Sequence, residues 1–202
     1  MTYKSFKICI KQKNKTKGTF AERIKHIPSN RLLAIDEMGF GHGFIHPRNK
    51  WQAKGHNVKN YQVRHRFESR SKSIICLTST KYIVNYEWSF QPYNTITFVD
   101  FLRTSLIGYT GFYLILNNVS FHRGRQVSKV LNEIGVTPIF IDRYTPEQNP
   151  IEEVFANMKS IIRSYCPTNI SSFTKTLYTA VKRQHQDSLV KYFNRSIRFQ
   201  HI

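Results

Sequence analysis

Acidic residues are scarce in this chain of 202 residues: 12 Asp and Glu stand against 31 Lys and Arg, a formal net charge of +19. A surplus of that size exceeds what solubility needs and points to a polyanionic partner, nucleic acid first. Lys, Asn and Ile are plentiful, as AT-rich coding DNA would produce, but such a bias does not explain so few acids. Cysteine is equally sparse. Cys9, Cys76 and Cys166 are odd in number, widely spaced and without a Cys-x-x-Cys. That argues against a disulfide framework and a zinc ribbon and fits a reducing compartment, and an intracellular protein, of nucleus or of nucleoid and cytoplasm depending on the host, is expected. No uncharged apolar run reaches the roughly eighteen residues of a membrane span. Residues 1–10 carry two lysines but no apolar core or cleavage pattern, so they do not read as a secretory signal. A basic amphipathic helix with Trp or Phe on its apolar face is also missing, which disfavours an anionic membrane surface as the partner. There are no internal repeats and no long linker, so one domain with short appendages is expected.

What is present is 40% hydrophobic and 14% aromatic, enough to bury a core. Residues 1–18 are basic and weakly patterned. Residues 19–27 suit a short helix that Pro28 breaks. The compact apolar run 31–36 reads as a buried strand ending on Asp36. A glycine-rich, basic segment follows, with His42, His46, His56 and His65 and a hairpin loop carrying Trp51. Those histidine spacings match no zinc pattern, and solvated or phosphate-contacting roles suit them better. Residues 57–67, 73–79 and 82–90 read as three further strands. A helix is expected over 95–106 with Thr95 as its N-cap. Then come a strand at 113–116, a helix at 124–134 closed by Gly135, and a strand at 136–141. A helix at 150–166 has Pro150 in its first turn, Glu152 and Glu153 at its positive end, and Lys159 and Arg163 further along. Residues 171–192 suit one C-terminal helix. Hairpins first and β/α crossovers later give an α/β fold, a mixed sheet with helices on both faces.

Three polar residues stand where strands end or a helix begins: Asp36, Asn117 and Glu152. Such places usually carry binding and chemistry. Alone, Asp36 before Gly39 could be a turn former and Glu152 a partner of the helix dipole. The motifs around them say more. AIDEMGF followed by Trp51-x-x-Lys-Gly55, then LILNNVSFHRG, then RYTPEQNPIEEVFANMK with 34 residues between Asn117 and Glu152, stand in that order. Together they resemble the DDE transposases of the mariner superfamily and their bacterial insertion-sequence relatives, over roughly residues 31–163.

The resemblance implies a ribonuclease-H-like fold and a DNA endonuclease or strand-transfer core working with two Mg²⁺ or Mn²⁺ ions. Asp36, Asn117 and Glu152 take the catalytic and metal-ligand positions. Two divalent ions about 3.5–4 Å apart need clustered hard oxygen ligands to activate a nucleophile and stabilise the leaving oxygen. Asn117 is the departure, since the family has its second Asp there. Asn offers a neutral carbonyl oxygen where Asp offers a charge and two coordinating atoms. Impaired catalysis is therefore expected, with a DNA-binding remnant or domesticated fragment as the alternative. Asp142 is the one carboxylate placed to substitute. Glu37 and Glu153 are expected in supporting or surface roles, and Asn118 and His122 as orienting hydrogen-bonders. Three parts are expected: residues 1–30 as a basic arm and short helix, 31–166 as the core, and 167–202 as a basic helix and tail. Only 35 residues precede Asp36, too few for the helix-turn-helix units that read transposon ends. A homodimer or a separate end-recognition subunit is the corresponding expectation, beside DNA itself.

Overall fold

The computed structural model describes residues 19–40 and 71–198. The proposed strand at 57–67, Trp51 and the four clustered histidines lie outside the described residues. The chain enters with helix α1 (Thr19–Ile24), then strand β1 (Leu32–Phe40), β2 (Lys72–Ser79) and β3 (Ile83–Ser89). Helix α2 (Thr95–Ser105), β4 (Tyr113–Leu116), α3 (Arg125–Ile134) and β5 (Thr137–Phe140) follow. Helices α4 (Ile151–Tyr165), α5 (Ile170–Lys182) and α6 (Gln186–Arg198) complete it. The five strands lie in the order β3-β2-β1-β4-β5. β1 pairs antiparallel with β2, and β2 with β3, while β4 joins β1 and β5 joins β4 in parallel. This is the mixed sheet, hairpin first and crossovers after, that the element order implied.

Alternation along the strands decides which helix covers which face. On β1, Leu32, Ala34, Met38 and Phe40 face a core completed by α1, α4, α5 and α6. Leu33 and Ile35 face the other core, with Phe98, Phe101 and Leu102 of α2 and Val127, Val130 and Leu131 of α3. On β4, Ile115 belongs to the first face and Leu114 and Leu116 to the second. β1 is central, covered on both sides, and so reads as an almost unbroken apolar run.

Three expectations are corrected. Strand β1 runs four residues past Asp36, because Met38 and Phe40 continue the alternation and residues through Phe40 stay paired with β2. The N-cap of α2 is Asn94, not Thr95: Asn94 Oδ1 accepts from the backbone N–H of Ile96 and Thr97, and the Thr97 hydroxyl accepts from Asn94 N–H. The C-terminal segment is two helices. Arg183 caps α5, and His185 O accepts from both Ser188 and Leu189 N–H as α6 begins. The buried Gln184 donates to Ala180 O and to Asn157 Oδ1. That break lets Leu189 and Phe193 turn onto the same core as Phe173 and Leu177.

Candidate active site

Parallel pairing of β1 with β4 matches Leu32 to Tyr113, Leu33 to Leu114 and Ala34 to Ile115. Carried two residues further, that register sets Asp36 beside Asn117. Both have the parity of the α4 face. The chain also spreads from β1 to the two edges in opposite directions, so β1 and β4 flank the crevice where open α/β sheets place their sites. Asp36 and Asn117 occupy its mouth. Asn117 Nδ2 donates to Asp36 Oδ2 at 2.5 Å, and Glu37 N–H donates to Asp36 Oδ1 at 2.8 Å.

The far side of Asn117 is held as well. Asn149 precedes Pro150, and the residue before a proline is steered to extended backbone; its φ and ψ are −99° and 110°. In that pose Asn149, 1% exposed, donates from Nδ2 to Asn117 Oδ1 at 3.1 Å. Its own Oδ1 accepts from the N–H of Ile151, the first residue of α4, at 3.4 Å. The backbone donor orients Asn149, Asn149 orients Asn117, and the amide hydrogens of Asn117 are left facing the Asp36 carboxylate. A cation between Asp36 and Asn117 would meet N–H groups rather than oxygen.

Glu152 sits in the exposed first turn of α4, and its N–H bonds to Asn149 O. It is close enough for its charge to bear on Asp36. Burial is the main cause that raises Asp36, which is 6% exposed, to a pKa of about 7. The charges of Glu37 and Glu152 add to that rise; the Glu37 N–H and His122 oppose it. The arrangement thus sets Asp36 and Asn117 in direct contact, with Glu152 near enough for its charge to act on Asp36.

Glu37 has the opposite parity and points to the α2 side. There Glu37 Oε1 lies 3.3 Å from His122 Nε2, and His122 Nδ1 lies 3.2 Å from Asn117 O. The His122 ring stacks on Phe98 at 4.6 Å between centroids. His122 therefore ties the loop after β4 to the strand that carries Asp36. Asn118 Oδ1 accepts from Arg123 at 3.4 Å, and Glu153 pairs with Arg195 at 2.6 Å.

Asp142 does not join this group. It lies two residues past the end of β5, where Gln148 and Thr145 engage it. Its Oδ2 accepts from Gln148 Nε2, its N–H donates to Gln148 Oε1, and its carbonyl accepts from the Thr145 hydroxyl. Among the described residues no group of three or more His, Cys, Asp and Glu side chains gathers as a metal site. The sequence motifs contained Asn149 but gave it no role; the Asn-Pro step before a helix was its signal.

The strand order, the crossovers and this site at the β1/β4 mouth define a ribonuclease-H-like fold. The family model of DDE superfamily endonucleases matches residues 31–173, and the chain belongs to that family. No curated protein matches the chain. The catalytic domain of Mos1 mariner transposase is similar in structure, with a TM-score of 0.67 at 13% identity over 89% of this chain and 84% of that one. The Mos1 mariner paired end complex with Mn gives 0.72 at 15% identity, over 89% of this chain and 56% of that one. A pre-cleavage Mos1 transpososome gives 0.71 at 14% identity, over 92% and 61%. Identities this low speak for the fold alone, and the chain spans less than two thirds of the transposase in those two complexes. No helix among the described residues is long and apolar enough to cross a membrane.

Proposed function

We propose that this chain is the DNA-binding core of a transposase-like endonuclease whose phosphoryl-transfer centre, Asp36, Asn117 and Glu152, is impaired by Asn117. The family supplies the reaction class. The charge of +19 supports DNA as the partner, as does the transposon-end DNA named with the Mos1 complexes. Mg²⁺ and Mn²⁺ are named with Mos1 structures as well, and divalent ions of that kind would supply Lewis-acid and nucleophile-generating chemistry.

One observation carries the impairment: Asn117 turns its N–H groups, not its oxygen, toward Asp36. Turning the amide over would set Nδ2 of Asn117 against Nδ2 of Asn149, which the Ile151 N–H holds in place. Two carboxylates balance only half the charge of two dications. The residues as arranged do not fit a two-ion centre. What they do is close the mouth of the β1/β4 crevice with a continuous hydrogen-bonded chain from α4 to β1.

Plasmid nicking in Mg²⁺ or Mn²⁺ tests this. Asn117→Asp keeps the Asn149 donor, exchanges the amide hydrogens for a second oxygen and is expected to nick about 10³-fold faster or more, at 1.36 kcal/mol per tenfold. Wild-type nicking equal to that of the variant would sink the impairment.

A further inference from the structure

A groove of about 440 Å³ opens between α4 and α6, lined by Glu153, Asn157, Ser188, Lys191, Tyr192 and Arg195. Nothing in the proposed chemistry uses it. Almost every group it presents is a hydrogen-bond donor: an ammonium, a guanidinium, two hydroxyls and an amide. Its single carboxylate, Glu153, is engaged by Arg195 through Nη1 at 2.6 Å, while the Arg195 side chain stays 61% exposed. One contact uses a fraction of the five N–H groups of a guanidinium, leaving the rest to meet an incoming acceptor.

Position adds direction. Helix α6 lies against α4 and also touches the turn at 146–148 that leads into α4. The groove therefore begins one residue from Glu152. The seven helical steps of α6 from Ser188 to Arg195 span about 10 Å, and the four of α4 from Glu153 to Asn157 about 6 Å. That is the reach of about two or three phosphate spacings along a strand, at about 3.4 Å each. The groove is open along its length, which suits a chain passing through it better than an enclosed small molecule.

We infer that the α4–α6 groove is a backbone-phosphate track for duplex DNA, in which Lys191 and Arg195 carry the charge and Ser188, Tyr192 and Asn157 give neutral hydrogen bonds. It delivers the strand to Glu152 without reading bases. The inference rests on the DNA-binding reading above and assigns part of that binding to named residues.

The test is anisotropy of a labelled duplex DNA with the full chain, titrated across salt, for wild type, Lys191→Ala, Lys191→Ala with Arg195→Ala, and Lys129→Ala. Lys129 is an exposed lysine on α3, so it reports generic loss of charge. The slope of log K against log salt is expected to shrink by about 1 for Lys191→Ala and about 2 for the pair, with roughly tenfold weaker binding per cation near 0.1 M salt. Lys129→Ala is expected to leave both unchanged. Lys191→Ala keeps the Arg195–Glu153 pair, so it stands as the test even if the double variant folds poorly. Wild-type slope and affinity in Lys191→Ala, or an equal loss in Lys129→Ala, overturns the track while leaving DNA binding intact. Wild type that fails to bind the duplex overturns the DNA-binding reading itself and the track with it. A loss confined to a duplex RNA run in parallel overturns the assignment to DNA.

Discussion

Asp36 is a carboxylate sealed at the head of a sheet, and its ionisation works against folding. Burial raises it to about 7 from an ordinary value near 3.8, so between those values the folded chain holds a proton that the unfolded chain has released. Asp36 therefore contributes stability below about pH 4 that is lost as pH rises through 7, on the order of a few kcal/mol in total. Asp36→Asn keeps an acceptor for Asn117 and removes the titration. Unfolding free energies of the two proteins at pH 5 and pH 8 should show the wild type losing more over that interval; an equal change in both would contradict it. At this scale the sequence was informative about residue types and poor about partners. The motifs located Asp36, Asn117 and Glu152. That Asn149 locks Asn117, or that Glu37 reaches His122, depends on contacts 32 and 85 residues apart in the chain, which no local pattern encodes.

Among the elements, the tightest junction is the end of α3. Gly135 has φ +80°, and a Cβ there would come within 2.9 Å of Thr110 Cγ2. Its N–H closes the helix on Leu131 O, and its carbonyl accepts from Gly111 N–H. Gly135→Ala meets both an unfavourable backbone region and a neighbour on the preceding loop, and is expected to lower stability by about 1–3 kcal/mol in denaturant unfolding. A variant as stable as wild type would show that the loop yields freely. This helix end was visible in sequence, since glycine after a periodic run has a local cause. The break between α5 and α6 was not. Residues 183–185 are Arg-Gln-His, none a helix breaker; the turn follows from where Leu189 and Phe193 find their core.

At the scale of the whole molecule, two cores sandwich one sheet, and the helices after residue 166 complete one of them. Phe173, Leu177, Ala180, Leu189 and Phe193 are fully buried with Leu32, Ile74 and Phe155. Each large apolar side chain buried there contributes about 1.5–3 kcal/mol, and a domain's net stability is about 5–15 kcal/mol. A chain ended at residue 166 is therefore expected not to fold cooperatively; a sigmoidal thermal transition for it would refute this. The sheet itself was legible because alternation and strand order need only the spacing of apolar residues. Its register was not, and the register is what sets Asp36 beside Asn117.

The amide chain from α4 to β1 has one more consequence, for the history of the gene rather than its chemistry. Codons for Asn and Asp differ in a single base. Asn149 can donate to a carboxylate at residue 117 as readily as to an amide, so no other residue on that side need change. On the proposed reading, the Asn149 amide is already placed to hold an aspartate at residue 117. A lineage carrying this chain stands one point mutation from restoring the missing charge.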